Sequence, residues 1–228
     1  MTTVTALKTF WNKTSCSRKW KALVYNACVI SQLIYGLETI PLTDGLINKL
    51  DAFQMKGFRK ILKIDHAYYS RVSNKTVMDT LNRNIGEEKT IQIKKVSEMI
   101  TQKSLSLLGH CIRSESNDPM RRPILNNSTD NHILHVRRKR QGRPRIRWID
   151  QTFETAFDVC KQTKATKGTN LQSQFQSSAF DKYNKAHMNL VVESAKSRQF
   201  PFEQKCKKLT HRQKVAQHEG GHSSATTN

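Results

Sequence analysis

The fold class is decided by one stretch, Asp44-Gly45-Leu46-Ile47-Asn48-Lys49-Leu50-Asp51-Ala52-Phe53-Gln54-Met55-Lys56-Gly57-Phe58-Arg59-Lys60-Ile61-Leu62-Lys63. Its apolar residues mostly recur at steps of three, as on one face of a helix: Ile47, Leu50, Phe53, Phe58, Ile61 and Leu62. Because Thr43 and Asp44 suit an N-cap, we predict a helix over residues 44–63. The opposite face carries cations with little acid to offset them: Lys49, Lys56, Arg59, Lys60 and Lys63. This face is either an ordinary solvated surface or a ridge that follows a phosphate backbone.

Further helices are predicted outward from this stretch. They cover about residues 17–38, 74–81, 87–113, 146–163 and 179–196. The first should bury one stripe and end near Gly36 and Pro41; the stripe is Trp20, Leu23, Val24, Ala27, Ile30 and Ile34. Residues 164–178, rich in Thr, Lys, Gln and Ser, are predicted to be poorly ordered. Since no period-two alternation is present, the predicted fold class is mainly α.

The densest positive charge lies in Arg137-Arg138-Lys139-Arg140-Gln141-Gly142-Arg143-Pro144-Arg145-Ile146-Arg147-Trp148, which contains no acid. A packed core cannot hold so many cations without partners. Gly142 and Pro144 prevent a regular helix across the middle. We therefore predict an extended basic strap whose cations contact phosphates: Arg137, Arg138, Lys139, Arg140, Arg143, Arg145 and Arg147. Trp148 either stacks on a base or anchors the following helix.

The composition also indicates a polyanionic partner. Lys and Arg number 39 and Asp and Glu number 18, so the net charge is +21. A chain this basic binds nucleic acid through counterion release. An anionic membrane is disfavoured, because the cations do not line an amphipathic helix with bulky apolar anchors. The most apolar run, 22–37, falls short of the roughly 20 apolar residues of a membrane span.

No metal site or cofactor is expected from the sequence. The chain has five cysteines, which are scattered without a CxxC pair. Such cysteines indicate neither a disulfide framework nor a zinc site, and they suit a reducing compartment. We likewise expect no small-molecule substrate.

Three stretches, taken in order, resemble one family. They are 21–25 with 33–39, then 50–54 with 57–62, then 107–113 with 142–145 and Trp148. This order resembles the region after the polymerase palm in non-LTR (LINE-like) retrotransposon reverse transcriptases, over about residues 4–155. The chain departs from the family at Ile40, where Trp is frequent, and at Ser114, where Met is frequent.

The resemblance implies a helical thumb-like region over residues 1–115, followed by a loop and basic strap over 116–147. C-terminal helices over 148–200 and a disordered tail over 201–228 complete the expected organisation. In the family the thumb grips the template–primer duplex, and the region beyond it is expected to contact RNA or target DNA. The polymerase holds its two metal ions with paired aspartates, and no Asp-Asp pair occurs here. We therefore expect no catalytic residue and no enzymatic activity. Mg²⁺ and the palm would belong upstream of Met1, and the location would be nuclear.

Two other interpretations stay open. Gly142-Arg143-Pro144 is the centre of an AT-hook, which inserts into a narrow A·T minor groove, although Gln141 replaces the preceding arginine. On that basis the chain would be a stand-alone chromatin binder. Alternatively, it is a relic open reading frame without selected activity, binding nucleic acid only through its charge.

Overall fold

The prediction of a mainly α fold is confirmed. The computed structural model describes residues 10–11, 15–83, 92–125, 147–162, 170–177, 179–181, 184–198 and 202, and it contains no strand in these ranges. The α-helices are α1 (Arg18–Tyr25), α2 (Ser31–Leu33), α3 (Asp44–Leu62), α4 (Ala67–Ser70), α5 (Asn74–Arg83), α6 (Val96–Arg113), α7 (Trp148–Gln162), α8 (Asn170–Ser177) and α9 (Lys185–Lys196). A π-helical turn, Asn26–Ile30, joins α1 to α2, and a 3₁₀ turn, Leu37–Thr39, follows.

The first hydrophobic core is built around α3. Helices α1, α5 and the N-terminal half of α6 pack against it. Tyr25 of α1 lies across α3 at Gly57, where an added Cβ would be 2.3 Å from the Tyr25 Cζ. The Tyr25 ring also meets Phe58 edge-on, with centroids 5.6 Å apart. Gly57 therefore permits a close approach of two helices that a larger residue would prevent.

The start of α6 differs from the prediction, because a helix was expected from about residue 87. The helix begins at Val96, and residues 92–95 are not helical. Side chains of α3 satisfy its first backbone N–H groups: Gln54 Oε1 accepts from Val96 N at 3.1 Å, and Asp51 Oδ1 accepts from Ser97 N at 2.9 Å. A distant helix thus supplies the cap, and no local sequence signal reports it.

The second core contains the C-terminal half of α6 together with α7, α8 and α9. Its fully buried side chains include Leu108, Phe153, Phe157, Phe175 and Met188. Helix α6 is therefore shared by both cores. The predicted division of the chain at residue 115 stays a prediction, although the cores meet along this helix.

The first predicted helix, over residues 17–38, is correct in part. Ser17 caps α1 by accepting from Trp20 N, and the chain turns at Gly36 with a φ of 77°. Trp20, however, is 64% exposed, and Ala27 is also exposed. The buried residues of α1 are instead Ala22 and Tyr25, so the face that meets the core lies beside the predicted stripe.

Part of the segment predicted to be poorly ordered is helical. Asn170–Ser177 forms α8, and Phe175 is fully buried against Phe157 with centroids 5.0 Å apart. One aromatic side chain in a polar segment therefore anchors the helix to the second core. The last helix is shorter than predicted, since α9 begins at Lys185 with Asn184 as its cap rather than near residue 179.

Candidate nucleic-acid interface

One face of α3 presents lysines at helical spacing. Lys49, Lys56 and Lys60 are exposed, and Lys63 follows at the C-cap. Steps of three, four and seven place these side chains on one face. Lys49 and Lys60 are eleven helical steps of about 1.5 Å apart, so this part of the face is about 16 Å long, which matches about five nucleotide steps at about 3.4 Å each. We call Lys49, Lys56, Lys60 and Lys63 the lysine face.

The two carboxylates of α3 do not oppose this charge. Asp44 lies in the first turn, and Asp51 bonds to Ser97 N and Ser97 Oγ of α6. Phe53 was predicted to be buried, yet it is 43% exposed and lies between Lys49 and Lys56 on the lysine face. The face that meets the core is instead centred on Gln54 and Phe58, because Gln54 bonds to the start of α6.

Arg59 was predicted as a phosphate contact, and the structure contradicts this. Its side chain is only 7% exposed. The guanidinium donates to Asp65 O at 3.2 Å and Val72 O at 2.5 Å, and also to Ser70 Oγ and Asn74 Oδ1. A guanidinium has enough donors to hold a whole connection, so Arg59 fixes the segment between α3 and α5 rather than a ligand.

The segment that Arg59 fixes displays two exposed tyrosines. Tyr68 and Tyr69 are 70% and 78% exposed, and their rings are perpendicular with centroids 5.3 Å apart. The Arg71 guanidinium lies 5.7 Å from the centroid of the Tyr68 ring. We call Tyr68, Tyr69 and Arg71 the tyrosine corner. None of the helices or contacts predicted from the sequence covers these residues, although the adjacent tyrosines in a polar segment were a usable signal.

Of the cations in the basic strap, Arg147 alone falls within the described residues. Its Nε and Nη2 donate to Asp150 at 2.9 and 2.8 Å, so it forms a bidentate pair at the start of α7. Asp150, three positions later and buried, therefore offsets the charge of Arg147, and the predicted phosphate contact of Arg147 stays a prediction. The other predicted strap contacts lie outside the described residues: Arg137, Arg138, Lys139, Arg140, Arg143 and Arg145.

Trp148 packs against the second core, which is the anchoring role. Its Nε1 is buried without a hydrogen-bond partner. The indole lines a cavity of about 90 Å³, shared with Leu42, Ile100 and Gln151 among others. Such a volume holds a few water molecules.

The two buried cysteine thiols, Cys111 and Cys160, do not resemble reactive nucleophiles. Burial raises the pKa of both Cys111 and Cys160 above the usual thiol value. The thiolate, which is the reactive form, is therefore disfavoured at both positions. Within the described ranges, no group of three or more His, Cys, Asp and Glu side chains could hold a metal ion. None of the described helices has the length and apolarity of a membrane span.

Comparisons with family models, with curated proteins and with solved structures give no match to this chain.

Proposed function

We propose that this chain binds nucleic acid by laying the lysine face of α3 along a phosphate backbone. The observation that carries the proposal is the set of exposed cations at Lys49, Lys56, Lys60 and Lys63, while neither carboxylate of α3 lies on the same face of the helix. Each lysine that neutralises a phosphate releases counterions, so the affinity falls with salt. A phosphate backbone is common to all nucleic acids, so binding shows little sequence preference.

We further propose that the chain is the thumb and post-thumb part of a non-LTR retrotransposon reverse transcriptase, located in the nucleus. Two of the stretches that resemble the family, 50–54 and 57–62, lie within α3, the helix that carries the lysine face. The partner is then template–primer, RNA or target DNA. Polymerase chemistry requires aspartates that this sequence does not pair. The purified chain is expected to add no nucleotide to a primed template with Mg²⁺ or Mn²⁺, and robust incorporation would contradict this.

The experiment compares two variants of equal charge. One changes Lys56, Lys60 and Lys63 to Gln on the lysine face. The control changes three exposed lysines scattered over other helices to Gln, namely Lys75, Lys103 and Lys185. Both variants lose the same net charge, so they separate the position of the charge from its amount.

Affinity for a duplex is measured across a salt series for both variants and for the unchanged chain. Each phosphate contact contributes about −0.9 to the slope of log K against log salt. The lysine-face variant should flatten the slope by about two to three, and the control by less than about one. Equal slopes in the two variants would show that the lysine face is not the binding surface.

A further inference from the structure

We propose that the tyrosine corner is a stacking platform for unpaired bases at the end of the lysine face. The inference rests on the proposed function, since the lysine face would bind the phosphate backbone of the same strand. It adds a class of ligand, a single-stranded segment, that backbone charge alone does not select.

The connection that carries the corner is held in place at several points. Arg59 bonds to Asp65, Ser70, Val72 and Asn74, as described above. His66 Nδ1 accepts from Tyr68 N at 3.3 Å, so α4 begins with its own cap. Arg71 ends α4 with a φ of 53°, and its N–H donates to Ala67 O at 3.1 Å. The rings are therefore presented by an ordered backbone.

The chemistry of the corner suits a base rather than an apolar partner. More than two thirds of each tyrosine is in solvent, while Arg71 adds a cation beside the rings. Aromatic rings and guanidinium planes both stack on bases, and adjacent cations hold the phosphates. In a duplex the base faces are already stacked on each other, so a single strand gains more from the corner.

The corner is continuous with the lysine face along the chain. Lys63, the last lysine of that face, adopts a left-handed conformation with a φ of 58° and turns the chain out of α3. Tyr68 follows five residues later. A strand that runs along α3 would therefore meet the tyrosines where the helix ends.

The test measures affinity for oligothymidylate of about 20 nucleotides and for a blunt duplex of the same length, both by fluorescence anisotropy. The variant is Tyr68→Ala with Tyr69→Ala. The control is Tyr35→Ala, which removes an 85% exposed tyrosine that lies between α2 and the 3₁₀ turn. Tyr68→Phe with Tyr69→Phe keeps both rings and should restore binding.

We expect the double alanine variant to lose about tenfold or more in affinity for the single strand. The loss for the duplex should stay within about threefold, and the salt slope should not change, because no phosphate contact is removed. A single-strand loss no larger than that of Tyr35→Ala would overturn the inference, and so would an equal loss on strand and duplex. The proposed function would still stand in both cases, because the unchanged chain would bind with a steep salt slope. Absence of binding by the unchanged chain would overturn both.

Discussion

Replacement of Gly57 by alanine tests the helix packing that positions the lysine face. The new Cβ would lie 2.3 Å from Tyr25 Cζ and 2.4 Å from Tyr25 Oη. The ring cannot swing away freely, because Phe58 and Trp11 contact it with centroids at 5.6 and 6.2 Å. Overpacking of this kind typically costs about 1–3 kcal/mol, whereas alanine gains up to about 1 kcal/mol of helix propensity over glycine. We expect a net destabilisation of about 1–2 kcal/mol.

Gly45 provides the matched control on the same helix. A Cβ added there meets no heavy atom within 4 Å, so Gly45→Ala should be neutral or stabilising by up to about 1 kcal/mol. Thermal melts followed by far-UV circular dichroism should place the melting temperature of Gly57→Ala several degrees below that of Gly45→Ala. Addition of Tyr25→Leu to Gly57→Ala should cost less than the sum of the single changes, because the shorter side chain removes the clash. Equal melting temperatures for the two alanine variants would refute the reasoning.

Three further predictions concern the first core. Burial raises the pKa of Tyr25 to about 12, above an unfolded value of about 10. The contribution of this side chain to the free energy of unfolding is therefore full below about pH 10 and is lost between about pH 10 and 12. Urea titrations over that range should show the free energy of unfolding fall by up to about 2–3 kcal/mol, and Tyr25→Phe should not show this fall. Lys63→Gly should raise the free energy of unfolding by about 0.5–1 kcal/mol, because glycine relieves the left-handed φ of 58°. The same change should flatten the salt slope of binding by about one, because it removes a lysine of the lysine face. Lower stability of the variant in a thermal melt would contradict the first expectation. Gln54→Leu should cost about 1–3 kcal/mol in urea unfolding, because it removes the acceptor of Val96 N, and the Val96 amide should exchange faster; unchanged exchange would argue against the cap.

Much of the fold followed from local patterns in the sequence. The period of the apolar residues located α3 and α7 to within about two residues, and Ser17 and Gly36 marked the start and end of the first helical segment as predicted. These features depend on neighbours along the chain, which a sequence displays directly.

The errors have nonlocal causes. The start of α6 is set by Gln54 and Asp51 from another helix, and α8 exists because Phe175 meets Phe157 across the second core. Arg59 has the same spacing on α3 as an exposed cation, but the following connection folds back and buries it. A helical pattern predicts which residues share one face of a helix, whereas the element that packs against that face depends on the tertiary fold.

The exposed lysines of the candidate site were predictable from the sequence, whereas the contacts of its arginines depend on the tertiary fold. Lys56, Lys60 and Lys63 are exposed as the pattern of charge indicated. Arg147 carries the same charge, but its guanidinium forms an ion pair with Asp150, three positions away in the chain. The tyrosine corner required the Arg59 hydrogen bonds, which only the structure displays.

The most direct test of the account is the equilibrium affinity of the purified, unchanged chain for duplex DNA, RNA–DNA hybrid and single strands across a series of salt concentrations. The account predicts binding to all three, with a log–log slope of about −3 or steeper on duplex DNA and about −2 or steeper on single strands, since three exposed lysines of α3 alone can each release counterions. Failure to bind any of the three at moderate ionic strength, or an affinity that does not change with salt, would contradict it.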